Sequence, residues 1–129
     1  RWRGDGVLDE YEETHIMENI IYNELIFRGY QVDVGVVEVN NVERGKNVRK
    51  QLEVNFVAKL GNKRYYIQSA YSIPDKEKMR QEQTPLTNIS DSFKKIIVVA
   101  GRSPLWRNEQ GITIMNLYDF LLNPNSLDL

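Results

Sequence analysis

The stretch Leu52–Ser72, LEVNFVAKLGNKRYYIQSAYS, constrains the fold more than any other part of the chain. Two alternating runs rich in β-branched and aromatic residues flank Gly61-Asn62-Lys63, a turn that tolerates positive φ. The chain must therefore double back there as an antiparallel hairpin. A strand over about 50–60 places Leu52, Val54, Phe56, Ala58 and Leu60 on one face, with Glu53, Asn55 and Val57 on the other. The returning strand puts Tyr65, Ile67, Ser69 and Tyr71 on one face, and Gln68 and Ala70 on the other.

The flanking segments supply what this hairpin packs against. Met17, Ile20, Ile21 and Leu25 form one helical stripe, with Thr14 at the N-cap position and Gly29 at C′, predicting a helix over 14–28. A strand follows over 30–39, and a bulge near Gly35 reconciles the adjacent Val36 and Val37 with alternation. The polar stretch NVERGKNVRK (41–50) reads as a long hairpin loop. Pro74 suits the first turn of a second helix, which is stopped or kinked at Pro85. KKIIVVAG (94–101) reads as a strand buried on both faces. A loop (101–111), a short strand ITIM and a helix NLYDFLLN ending before Pro124 complete the order α-β-β-β-α-β-β-α. Hairpins followed by a helical crossover predict an α/β domain: a mixed sheet flanked by helices, spanning 14–123. Residues 1–13 read as an arm or linker stub, and 124–129 as a tail.

Composition bounds the functional classes. A chain of 129 residues, 41% hydrophobic and 27% charged, suits one soluble globular domain. No apolar run approaches the roughly 18 residues of a membrane span. The absence of cysteine excludes a disulfide framework and thiolate metal sites, and agrees with a reducing cytoplasm, the expected location. The chain opens on Arg1 rather than methionine, which leaves room for an upstream segment. The net charge of −1 makes no global case for nucleic acid, so local patches must supply one. No Walker A pattern occurs, so this segment is not expected to bind ATP.

Two readings fit the polar side of the hairpin. If the turn brings the polar faces together, Glu53, Asn55 and Gln68 share one small area. Glu18, standing between Met17 and Ile21, would join them from the first helix. Oxygen ligands of this kind, Glu53 and Asn55 above all, hold Mg²⁺, which polarises a phosphodiester and acidifies an attacking water. In the other reading, these residues are the half-solvated side of an antiparallel sheet. His15, the single histidine, sits at a helix start and reads as a surface or capping group.

Five pieces in order carry a resemblance: MENIIYNELIFRGYQVDV, KQLEVNFVA, YYIQSAYSI, KKIIVVA and GITIMNLYDFLL. Residues 14–122 thus resemble the domain that follows the ATPase core in bacterial and archaeal AAA-type ATPases, a domain of unknown function. The resemblance implies a restriction-endonuclease-like PD-(D/E)XK fold with an α-β-β-β-α-β core, and an upstream ATPase domain in the same chain. It maps a helix-1 glutamate onto Glu18 and a glutamate-x-aspartate pattern onto Glu53-Val54-Asn55, so Asn55 replaces the aspartate. Active members of the superfold carry Glu or Gln, one residue, then Lys; here Gln68-Ser69-Ala70 lacks the lysine. Asn55 keeps an oxygen but loses the charge that dominates Mg²⁺ binding. Ala70 removes the cation that would position the water and stabilise developing charge. The expectation is a non-catalytic recognition or assembly module with a degenerate site and no cofactor. The alternatives are an Mg²⁺-dependent nuclease on DNA or RNA, and a homo-oligomerisation module using the KKIIVVA edge or the Trp106 loop.

Two basic stretches could meet a protein or nucleic-acid partner. Arg44, Lys46, Arg49 and Lys50 would touch a phosphate backbone, and Trp106, between Arg102 and Arg107, would stack on a base. The slightly negative net charge and the acidic stretch DEYEE favour the other reading, in which the first is a solvated loop and Trp106 packs back on the domain edge.

Overall fold

The computed structural model describes residues 9–129. Helix α1 (Glu10–Phe27) is followed by strands β1 (Gln31–Glu43), β2 (Lys46–Leu60) and β3 (Lys63–Ala70). Helix α2 (Lys76–Thr87), strands β4 (Lys94–Val99), β5 (Trp106–Arg107) and β6 (Thr113–Asn116), and helix α3 (Leu117–Leu122) complete the chain, with a 3₁₀ turn at Ser126–Asp128. The six strands form one sheet in the order β1-β2-β3-β4-β6-β5. The β3–β4 and β4–β6 pairs are parallel and the others antiparallel, so the fold is α/β with a mixed sheet flanked by helices.

Each face of the sheet carries its own core. Met17, Ile21 and Leu25 of α1 and Phe120 of α3 pack with Phe56, Ala58, Tyr65, Ile67, Ile96 and Val98 on one face. Leu86 of α2 packs with Val54, Val57, Tyr66, Ala70, Ile97 and Val99 on the other. β4 contributes to both, as an apolar run with no polar alternation should. It lies between β3 and β6, so KKIIVVA is not the sheet edge expected for an oligomer contact; the edges are β1 and β5.

Several boundaries differ from expectation. α1 begins four residues before Thr14, because Asp9 caps it by accepting from the Glu12 amide at 2.8 Å. Thr14 instead donates back to the Glu10 carbonyl within the helix. Glu10, Glu12 and Glu13 place negative charge at the positive end of the helix dipole. The expected arm is therefore helix over 10–13, and its residues 1–8 lie outside the described ones. Gly29 ends α1 as predicted, at φ 93°, with its amide on Ile26 and that of Tyr30 on Leu25 in a Schellman arrangement. The expected tail is docked: Leu127 is buried in the α1-side core and Ser126 is fully buried.

The long polar loop over 41–50 does not exist. Arg44 and Gly45, at φ 52° and 76°, make a two-residue turn, and β1 and β2 stay paired from Glu43↔Lys46 inward. The bulge forms near Gly35, but the extra residue is on β2: Asp33 faces Val57 and Gly35 faces Val54. Two residues, Asn55 and Phe56, thus oppose Val34 alone. Gly35 is needed there, since a Cβ would lie 2.8 Å from Val57 Cγ2 and 3.1 Å from Val54 Cβ. The bulge also breaks the expected face of β2. Val54 joins Val57 on the α2 side, whereas Phe56 and Ala58 face α1.

Candidate functional site

The β2–β3 ladder runs from Leu60↔Lys63 to Phe56↔Ile67 and then stops. Beyond it, two side-chain amides continue the ladder. The Asn55 backbone N–H donates to Gln68 Oε1 at 2.8 Å, and the Ser69 N–H donates to Asn55 Oδ1 at 2.9 Å. Gln68 Nε2 then donates to the Glu82 carbonyl in α2 at 3.2 Å. Each side chain satisfies the backbone of the other strand, at the level where β2 carries the bulge in its pairing with β1. Gln68 is 5% exposed, so this is a buried clamp between the sheet and α2.

Asn55 and Gln68 are thus brought together, as the sequence suggested, but as partners of backbone. Gln68 shares the parity of Tyr66 and Ala70, whose face packs on α2. Glu18 and Glu53 lie on the other side, where they line a hollow of about 310 Å³ with Tyr22, Val34, Asn55 and Phe56. Asn55 alone belongs to both groups. Ala70 is 2% exposed in the α2-side core, which is the environment of a small apolar residue. Among the described residues, no three His, Cys, Asp or Glu side chains group closely enough to hold a metal ion. Lys59, on β2, lies 3.8 Å from Asp33 on β1. His15 stacks edge-on against Tyr11 and lies 3.7 Å from Glu18, on the surface of α1.

Over 106 residues, 82% of its length, the chain is 31% identical to an uncharacterized protein of Haemophilus influenzae. It has a relative. The chain spans about a fifth (22%) of that protein's length. No family model matches the chain, and no solved structure matches it. Among the described residues, no helix is long and apolar enough to cross a membrane.

The two basic stretches part company. On the β1–β2 ribbon, Arg49 pairs with Glu38 at 3.8 Å and Lys50 with Glu43 at 2.6 Å, which leaves Arg44 and Lys46 at the tip as its unpaired cations among the described residues. Arg102 and Trp106 instead border a hollow of about 300 Å³ at the carboxyl ends of β3 and β4. Trp106 and Arg107, expected in a loop, form the edge strand β5, opposite Ile114 and Thr113. Sequence reasoning missed the residues that shape this place. Asn116 caps α3 through Oδ1 and holds the Ser103 carbonyl through Nδ2 at 2.9 Å. Asn108 accepts from the amides of Gln110 and Ile112 and donates to Gln83 of α2 at 3.1 Å. Asn116-x-x-Asp119 before an apolar run was the readable signal for the first. Asn108 before a glycine marked only a turn.

Proposed function

We propose that this chain is a non-catalytic recognition or assembly module, of PD-(D/E)XK-like descent and attached to an AAA-type ATPase. The observation that carries the reading is the amide clamp. Two of the side chains mapped onto nuclease site positions, Asn55 and Gln68, are engaged as backbone partners, and Ala70 is packed under α2. An amide here saves two backbone N–H groups from being stranded without partners, a structural use that needs no metal. The partial span of the longer relative suits a module within a larger protein.

One observation favours the second reading, a metal-dependent nuclease: Glu18 and Glu53 share a hollow with Asn55. Mg²⁺ and Mn²⁺ titration with a panel of DNA and RNA substrates separates the two. The module reading expects no saturable metal binding and no cleavage that depends on Glu53. Saturable metal binding, with cleavage abolished by Glu53→Ala, would replace it with the nuclease.

A further inference from the structure

The segment that bears Arg102 and leads into β5 at Trp106 is pinned at both ends, by Asn116 on Ser103 and by Asn108 on Gln83. Trp106 is nevertheless 43% exposed. Together with Met79 of α2, it borders two hollows, one of about 300 Å³ and one of about 400 Å³. The first is floored by Val99 and Ile114 and edged by Arg102, Ser72 and Ser103. The second continues beside α2 past Lys76, Arg80 and Gln83, roughly 10 Å along the helix axis. The two form a groove interrupted by an indole. Lys76, Arg80 and Arg102 line it against the single carboxylate of Glu109. Among the described residues, only Arg80 of these cations has an ion-pair partner, Glu77.

We propose that this groove binds an unpaired nucleic-acid strand, with a base stacked on Trp106 and the adjoining phosphates on Arg102 and Lys76. An exposed indole on a segment anchored at both ends, in a cationic groove, offers a stacking platform, and every base presents a π-face to it. A duplex keeps its bases stacked inside, so the platform selects the single strand. The site lies at the carboxyl ends of parallel strands, where open α/β sheets form their ligand crevices. The proposal rests on the recognition reading and deepens it by naming a ligand class, and the groove shares no lining residue with the Glu18–Glu53 hollow.

The test is fluorescence anisotropy of the whole chain with a labelled single-stranded oligonucleotide of mixed sequence, its duplex, and adenosine monophosphate as competitor. Single-strand binding should exceed duplex binding. Trp106→Ala should weaken it roughly tenfold or more, with Trp106→Phe retaining most of it. Arg102→Gln should lower the slope of log affinity against log salt by about 0.7. Arg44→Gln with Lys46→Gln should leave binding intact. A matching thermal melt for Trp106→Ala keeps the result interpretable, and Trp106→Phe serves if the alanine variant melts early. Absent single-strand binding, indifference to Trp106, or loss only in the ribbon variant overturns the proposal. So does full displacement by the mononucleotide at equal concentration, which would assign the groove to a free nucleotide. The metal and cleavage panel is read separately, so the groove can fail while the module reading stands, and the reverse.

Discussion

Replacing Gln68 by glutamate installs the acidic one of the two residue types that the resemblance allows there, and the clamp predicts that the protein will resist it. One carboxylate oxygen can still accept from the Asn55 amide, now 2.8 Å from Gln68 Oε1. The other must face the Glu82 carbonyl, to which Nε2 now donates at 3.2 Å. Two acceptors then meet without a proton at a residue 5% exposed. The lost hydrogen bond costs about 1 kcal/mol, and the buried, mispaired charge about 1–3 more, so about 3 kcal/mol is expected at pH 7. That is a large share of the roughly 5–15 kcal/mol available to a domain. Protonation repairs the defect, because a neutral carboxyl at position 68 donates its O–H to the Glu82 carbonyl in place of the amide. At about 1.4 kcal/mol per pKa unit, the folded carboxyl should titrate about two units above the usual glutamate value of about 4.3. The sign follows: the folded state holds the extra proton, so stability is kept below about pH 4 and lost as pH rises to about 6.5. Urea melts of Gln68→Glu and wild type from pH 4 to 8 measure the difference directly. Asn55→Asp is the control; it keeps an acceptor for Ser69 on a half-buried residue and should cost about 1 kcal/mol or less. A pH-independent difference, or less than about 0.5 kcal/mol at pH 7, would refute the clamp. Recovery of stability on adding millimolar Mg²⁺ would show instead that the carboxylates have found a metal.

Four further outcomes follow from other parts of the molecule. Arg28, whose side chain is 6% exposed, bonds Glu24 at 2.7 Å, Ser126 at 2.9 Å and the Phe120 carbonyl, and lies over the Phe120 ring. Arg28→Leu should cost about 2–4 kcal/mol in chemical denaturation and expose the C-terminal turn to protease, since Glu24 retains some solvent. Gly35→Ala should cost about 1–3 kcal/mol by overpacking against Val57, and a Gly35→Ala/Val57→Ala double variant should be less destabilised than the two single effects summed. Burial and the hydrogen bond to Asp128 raise the pKa of Tyr65. That stabilisation is present below the ordinary tyrosine pKa of about 10 and lost above it, so Tyr65→Phe should flatten alkaline unfolding followed by circular dichroism. Thr113 Oγ1 is buried without a protein partner, and Thr113→Val should be neutral or raise the melting temperature by a few degrees.

Periodicity reads the α/β layering because its strongest signals are buried. β4 shows no alternation, and α1 buries Met17, Ile21 and Leu25 of the expected stripe before Gly29 ends it, while Ile20 is exposed. The β1–β2 ribbon escapes periodicity for the opposite reason. Beyond Val37 and Leu52 its residues are exposed or half-buried, so polar side chains fill it and the strand signal fades into that of a loop. Only Gly45, free to take positive φ, hints at a tight turn; Arg44 at φ 52° gives no such signal. Asp9 does not stand out as a cap because the segment before Thr14 lacks apolar periodicity, so nothing marks the Glu12 amide it accepts from as a helix start. The groove is half legible: Trp106 and Arg102 stand out, but their partners Met79, Gln83 and Asn116 are distant in sequence and meet only in the fold.

The candidate site turns on one residue of register. With strict alternation in β2, Glu53 and Asn55 project from the same face and would meet Gln68 there. The bulge opposite Val34 inserts a step between Val54 and Val57, so a period-two argument fails at the residues on which the chemistry depends. Glu53 is left beside α1, while Gln68 lies under α2, and Asn55 sits at the step between them. An aspartate at that step could face the hollow and still accept from Ser69. An asparagine accepts the same bond without the cost of burying charge in a site lacking a cation. On the proposed descent, loss of the carboxylate and loss of the lysine are therefore coupled. With Ala70 in the α2-side core, position 70 supplies no cation to offset a charge at 55, and the amide accepts from the Ser69 backbone without burying one. Changing positions 55 and 70 alone would therefore not assemble a metal site, because the bulge still holds Glu53 and Gln68 on opposite sides of the sheet.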